Sequence, residues 1–444
     1  MSQVLKPKKG YKKVKGLFGT YDEIPQEWEI VPLNKYTTLK DGDWILEKNY
    51  SEKGVRLLQI GDMGLGVFLD KSQKYISKKT SNELKCTIIK QGKDILISRM
   101  PTPIGRACIA PVLPYPYIVA VDISILKYDL EKIYQNYLVY TLNHSKNLNN
   151  VKKYVAGTTR QRINRTNLES ITIIIPPLPE QQKIASILSN IDNLIFNTEK
   201  IIDQNTVLKK GLMQKLLTRG INHKKFKKVH IIPRFLELII PENWKYNTLD
   251  SISIEIKDGP MGFSLHNYDY KQKGIPILKV QNLKNLLVNK YNLSFISKEK
   301  HNELEKSQTK PLDIIISKTG IYLGVIGILP EDYGPANLNQ ALARINLKNK
   351  KYVKFVSMFL AYGLPQKILN IVGSSRTAQP GLRMSDIKNL IIPIPEQDEI
   401  KKITYVLSNI DSQITSQIQY KEKLERLKKS LMQKLLTGEV RVKV

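Results

Sequence analysis

The string LMQKLLT occurs twice in this chain, at residues 212–218 and again at 431–437, an offset of 219 residues. The same offset carries LSNID at 188–192 onto LSNID at 407–411. Without a gap it also pairs Glu180 with Glu399, Ile184 with Ile403, Ile195 with Ile414 and Leu208 with Leu427. One register held this long marks a tandem duplication, which commits the chain to building one supersecondary plan twice. A looser repeat lies upstream. There YKKV at 11–14 answers FKKV at 226–229, and Ile24, Pro25 and Trp28 answer Ile240, Pro241 and Trp244. Each half is a divergent body of about 160 residues followed by a better preserved tail. Two related bodies on matching tails suit a target with two separated half-sites.

In the first tail apolar residues recur at spacings of four and three: Ile184, Leu188, Ile191 and Ile195, then Ile202, Leu212 and Leu216, with Leu208 close to the stripe. The second tail repeats them as Ile403, Leu407, Ile410, Ile414, Leu424, Leu431 and Leu435. This period predicts a helix that packs against another helix. Pro176, Pro177 and Pro179 precede the first run and Pro393 and Pro395 the second, while Gly220 and Gly438 follow the ends. Proline is tolerated at a helix start and glycine terminates one. Thirty-nine helical residues, 180–218, would give a rod on the order of 58 Å. Such a rod needs a partner along its length, and the other tail is the expected one, in an antiparallel coiled coil. Thr198, Asn205 and Gln417 fall on the stripe, where polar residues set register.

The bodies read as β-rich. Segments 94–98, 117–121, 313–317 and 323–329 are short, β-branched and bounded by Gly or Pro, and 130–142 and 352–369 read as helical. The expected fold class is α+β, divided as 1–178 (first body), 179–220 (first helix), 221–394 (second body) and 395–444 (second helix). The polar, basic stretch 217–233 reads as the linker between halves.

Seventy Lys and Arg stand against 40 acidic residues, a formal net charge of +30. This favours a polyanionic partner through neutralised phosphates and released counterions. Nucleic acid is the first candidate and an anionic membrane surface the second. No stretch approaches the ~18 apolar residues of a span and the N-terminus lacks the apolar core of a signal peptide, so a cytoplasmic location is expected. The excess of Lys over Arg hints at an AT-rich bacterial genome. Cys86 and Cys108 are the only cysteines, which argues against a disulfide framework or zinc site.

The sequence carries no recognisable catalytic signature. No GxxxxGK[ST] phosphate loop occurs. Gly61, Gly64 and Gly66 lack a strand–turn–helix setting, and PYPY at 114–117 only echoes an amino-methyltransferase tetrapeptide. His144, His223, His230, His266 and His301 show no ligand spacing. Asp250 with Glu255 and Lys257 mimics a nuclease triad at too short a spacing and reads as one strand. With arginine scarce, its clusters are informative, because Arg reads guanine bidentately and forks phosphate. Arg160, Arg162 and Arg165 lie in one polar loop, and Arg376 and Arg383 in its counterpart, GSSRTAQPGLR. Arg99 and Lys318 follow matching strands ahead of Gly105 and Gly324. These seven residues are the candidate DNA contacts; the alternative for each is a solvated loop charge.

Several words recur in a fixed order: KKV…IPQEW (12–28) and KKV…IPENW (227–244), ISRMPTPIG (97–105) and ISKTGIYLG (316–324), and GTTRQRINRTNLESITIIIPPLPEQQKIASIL (157–188). In this the chain resembles, over nearly its whole length, the specificity subunits of type I restriction-modification systems. The resemblance implies two target-recognition domains separated by two conserved antiparallel helices, with pseudo-twofold symmetry. Each domain would read half of a bipartite double-stranded DNA site, and the helices would dock a pair of modification (methyltransferase) subunits and fix the gap. A restriction (endonuclease) subunit would complete the complex. It implies no cofactor in this chain, with S-adenosylmethionine, ATP and Mg on the partners. One departure stands out: PPLPEQ at 176–181 becomes PIPEQDE at 393–399, which puts equivalent docking of the two helices in question. Rival readings are a coiled-coil scaffold without DNA and a self-sufficient methyltransferase or nuclease.

Overall fold

A computed structural model describes residues 8–15, 21–101, 103–232, 236–320, 322–362 and 381–444. The chain forms two compact units, Met1–Glu199 with Gln419–Val444, and Lys200–Ile418. Two helices dominate, Leu178–Arg219 of 42 residues and Gln397–Leu436 of 40. Their first residues are related by the 219-residue offset, so the altered proline word does not move the helix start. Each helix is shared, because the residue at which one unit ends and the other begins falls inside it.

In the first unit an antiparallel sheet runs in the order Thr37–Asp41, Ile123–Tyr128, Ile95–Ser98, Ala107–Ile109. A second sheet orders Tyr117–Val119, Val55–Leu58, Lys74–Ile76 and Tyr50–Ser51, its first pair parallel. Glu29–Pro32 pairs with Thr172–Ile175, the strand that leads into the first long helix. The helices Gln135–Asn143 and Ser145–Lys152 cover this body. Its core gathers Trp28, Tyr137, Leu138 and Ile173 around Ile184 and Leu188 of the first long helix and Leu435 and Leu436 of the second. Full burial of each such side chain contributes roughly 1.5–3 kcal/mol, so both helix ends are anchored in this body. Along the helix pair Asp192 meets Lys428 at 2.5 Å and Glu199 meets Lys421 at 2.7 Å. Seven residues forward on one helix match seven backward on the other, which makes the pair antiparallel.

The second unit repeats the plan. Its larger sheet orders Ser253–Asp258, Leu342–Leu347, Ile314–Ser317, Ile326–Ile328, Leu286–Val288 and Leu283–Lys284. Lys245–Thr248 pairs with Ile391–Ile394 ahead of the second long helix, and Val353–Ala361 is the covering helix. Trp244, Phe355 and Phe359 share a core with Met213, Leu216 and Leu217 of the first long helix and Ile400, Ile403 and Leu407 of the second. Lys209 pairs with Asp411, the pair onto which the 219-residue offset maps Lys428 and Asp192.

Of the stripe residues, Ile184, Leu188, Ile191, Leu216, Ile403, Leu407, Ile410 and Leu435 are buried, and Ile195, Leu212, Ile414 and Leu431 are half-buried. Leu208 is exposed. Thr198 is buried, but its hydroxyl donates to Leu194 O of its own helix at 2.7 Å; ion pairs rather than this polar residue link the two helices. The linker reading of 217–233 needs correction. The helix continues to Arg219, and Phe226–Ile232 is a strand paired with Leu236–Pro241. Its alternation buries Val229 while the flanking lysines stay partly or fully in water, the same hairpin that Tyr11–Lys15 and Tyr21–Pro25 form in the first unit.

Candidate nucleic-acid interface

Four segments of the first unit converge around the end of the strand Thr37–Asp41. Arg99 follows Ile95–Ser98, the strand on the far side of Ile123–Tyr128 from it, and is only 3% exposed. Its Nη2 donates to Val121 O at 2.7 Å and lies 3.4 Å from the Asp41 carboxylate. Burial lowers its pKa, opposed by Asp41. Its backbone N–H donates to Asp122 O and its carbonyl accepts from Ile163 N, which ties the loop 157–165 to the sheet. Arg162 pairs with Asp122 at 3.1 Å, and Arg165 lies 4.0 Å from Asp41 and 3.6 Å from Glu169. The loop closes on itself where Ala156 and Arg162 exchange backbone hydrogen bonds. Gly157, at φ +99°, allows this, since a Cβ there would stand 2.5 Å from Arg160 O. Arg160 is left exposed between them.

The second unit rebuilds this frame. Lys318 stands where Arg99 does, half-buried, its Nζ 2.7 Å from Asp258. Its N–H donates to Ala341 O and its carbonyl accepts from Leu382 N, and Leu382 is Ile163 moved by 219 residues. Arg383 is exposed, and its backbone N–H donates to Asp386 Oδ2 at 2.7 Å at the start of the helix Met384–Lys388. Arg376 lies outside the described residues.

The structure thus brings Arg99, Arg162 and Arg165 together and places Lys318 in an equivalent position. It rules out the solvated-loop alternative for Arg99: a buried strand end with a carbonyl and a carboxylate within reach draws the guanidinium inward. Asp41, Asp122 and Asp258, which orient these cations, were missed in the sequence. The signal was present as KDG at 40–42 and again at 257–259. Each glycine is packed so closely that a Cβ would collide with a backbone carbonyl, Ala120 O for Gly42 and Asn339 O for Gly259.

A second duplicated cluster fixes the start of each long helix. Buried Glu180 accepts from Trp28 Nε1 at 3.2 Å and pairs with Arg441, which also reaches Glu27 at 2.6 Å. Glu399 accepts from Trp244 Nε1 at 2.9 Å and Ile221 N at 2.8 Å, with His223 Nε2 at 2.8 Å. Gly438 and Gly220, both at positive φ, lie against Trp28 and Trp244 respectively.

The nuclease-like trio does not assemble. Asp250 pairs with Lys388 at 3.2 Å, while Glu255 is held by Lys310 and Arg344 at 2.7 Å each. Among the described residues no group of three or more His, Cys, Asp or Glu is placed to hold a metal ion. No helix among them is long and apolar enough to cross a membrane.

A mixed α/β body built twice, each with cationic loops pinned to a sheet end and each anchoring parts of two shared helices, defines a duplicated recognition protein. Residues 25–205 and 241–426 match the type I restriction modification DNA specificity domain, and the chain belongs to that family. It is 30% identical over 437 residues to the putative type I restriction enzyme MjaX specificity subunit of Methanocaldococcus jannaschii, covering 95% of both chains. The MjaVIII specificity subunit of the same organism is 32% identical over 317 residues, 69% of this chain and 70% of the relative. The fold is similar to the crystal structure of the type I restriction-modification S subunit from M. genitalium, with TM-score 0.55 and 16% identity, over 92% of this chain and 96% of that one.

Proposed function

We propose that the chain is the non-catalytic, sequence-specific component of a type I restriction-modification complex, reading a bipartite double-stranded DNA site with one half-site per unit. The observation that carries this reading is the cation frame rebuilt in both units, with Arg99 and Lys318 in equivalent positions on equivalent aspartates. Arg160, Arg162 and Arg165 serve the first half-site, and Lys318, Arg376 and Arg383 the second. Arg99 acts from beneath by fixing the loop. The net charge of +30 supplies the long-range attraction to phosphate. Modification (methyltransferase) subunits dock on the helix pair and a restriction subunit joins them. S-adenosylmethionine, ATP and Mg bind to those partners and not to this chain, and the complex works in the cytoplasm.

The test is reconstitution. The purified chain alone is expected to neither methylate nor cleave DNA. With its modification partner and S-adenosylmethionine it is expected to direct adenine methylation to a split motif. Base methylation by the chain alone, or methylation by the pair without a split motif, overturns the reading.

A further inference from the structure

Each recognition frame carries a large apolar side chain standing in water: Trp44 in the first unit and Met261 in the second, each 67% exposed. They occupy equivalent positions. Asp41 pairs with Ser124 and Asp258 with Ala343, partners 219 residues apart, and Trp44 and Met261 each lie three residues beyond the aspartate. The segments that carry them are pinned alike, Gly42 N donating to Ile123 O and Gly259 N to Leu342 O, both at 2.9 Å. Asp43 adds a bond to Val119 O and accepts from Thr87 N at 2.9 Å. The other two tryptophans, Trp28 and Trp244, are buried with their indole N–H groups bonded to glutamates. Trp44 therefore differs from both, an exposed indole on an anchored segment. Lys40, Arg162 and Arg165 belong to the same frame, as do Lys257, Lys318 and Arg383 in the second unit.

We propose that Trp44 and Met261 are apolar base contacts, one for each half-site, entering a groove between cations that hold the phosphates. An indole or thioether cannot neutralise phosphate. It gains by covering the thymine methyl or a partly unstacked base step, which is how apolar side chains contribute inside a duplex groove. The cations held on Asp41, Asp122 and Asp258, the aspartates of the same frames, make DNA a better match than an apolar protein surface. The inference rests on the DNA-reading role proposed above.

The experiment uses the full chain labelled with 5-fluorotryptophan and followed by 19F NMR, the Trp44 signal assigned with Trp44→Phe. The probes are a duplex carrying the split motif found by methylome sequencing and, separately, the unlabelled modification subunit. The Trp44 signal is expected to shift with the duplex while those of Trp28 and Trp244 stay in place, which also reports that the fold is intact. Trp44→Ala is expected to weaken motif binding roughly tenfold, the scale of one lost base–aromatic stack, and Met261→Ala to weaken it less. Because no phosphate contact is lost, neither change should alter the slope of log affinity against log salt. Motif binding that leaves the Trp44 signal and the Trp44→Ala affinity unchanged overturns this inference alone. A signal that moves with the modification subunit and not the duplex reassigns Trp44 to a protein contact. Failure of the chain to bind the duplex, with or without its partner, removes the DNA-reading role and this inference with it.

Discussion

Arg344 has no counterpart in the first unit, where the equivalent position is Ile125. Buried on the strand next to the edge of the larger sheet of the second unit, it donates to Glu255 at 2.7 Å and lies 3.4 Å from Asp313. Asp313 also accepts from Asn346 Nδ2 at 2.6 Å and Lys310 N at 2.7 Å. Removing one member of such a cluster leaves uncompensated charge in the interior, so Arg344→Ala should cost about 3–5 kcal/mol, read from the urea midpoint of the full chain. Hydrogen bonds from Lys310 and then Arg344 hold Glu255 at about 2, against an ordinary 4.5. A carboxyl with a depressed pKa stabilises the fold fully above its unfolded value, and that contribution is lost as pH falls from 4.5 towards 2. Burial pushes Asp313 the other way, so Glu255→Gln is the variant that isolates the effect. It should flatten the fall in melting temperature between pH 5 and pH 2, and an unaltered acid limb would remove Glu255 from the account. At the loops proposed to meet DNA, replacing a base-reading arginine among Arg160, Arg162, Arg165, Arg376 and Arg383 with Ala should cost roughly 1–3 kcal/mol and relax one position of one half-site. Loss of a phosphate contact should instead weaken all sequences alike and flatten the salt slope. Five variants with unchanged affinity, slope and motif would place these loops away from DNA.

At the scale of elements, the long helices were legible because their stripe residues are core residues, and period survives in sequence when burial enforces it. The stripe does double duty: Ile184 and Leu435 belong to the core of the first body, and Leu216 and Ile403 to that of the second. The strand Phe226–Ile232 was not legible as such, because lysines on its exposed face read as a solvated linker and its hairpin partner completes the evidence only in space. The burial of Arg99 was not legible for a similar reason. Its carboxylate, Asp41, lies 58 residues away in sequence, and no local pattern announces that a loop cation will turn inward. Trp44 carried no periodic signal at all. The helix-start cluster yields its own prediction. Glu399→Ala strips the acceptor from Trp244 Nε1 and Ile221 N, and each buried donor left unmade costs about 1–3 kcal/mol. The second unit should therefore lose stability and Trp244 emission should move to the red. Unchanged melting and emission would mean that the cluster does not hold the helix start.

For the whole molecule, the two long helices are the elements that pass from one unit into the other. The residues 217–220, which read in sequence as a place to lengthen the connection, are the wrong ones: Leu217 is buried in the core of the second unit and Gly220 is packed on Trp244. Insertion there would damage a body before it changed a spacing. The chain passes from one unit to the other instead within the helices, between Glu199 and Lys200 and between Ile418 and Gln419. Four residues inserted at both places lengthen each helix by ~6 Å and turn it by little more than one full turn, so the stripe stays near its original face. Asp192–Lys428 and Glu199–Lys421 keep their register on one side of the insertion, and Lys209–Asp411 on the other. With ~3.4 Å of rise per base pair, the gap between half-sites should grow by about two base pairs while both half-sites keep their sequences, because neither cation frame has been touched. Methylome sequencing of cells carrying this variant and its modification partner reads gap and half-sites together. An active variant that keeps the original gap, or changes a half-site instead, would show that the helices do not set the spacing.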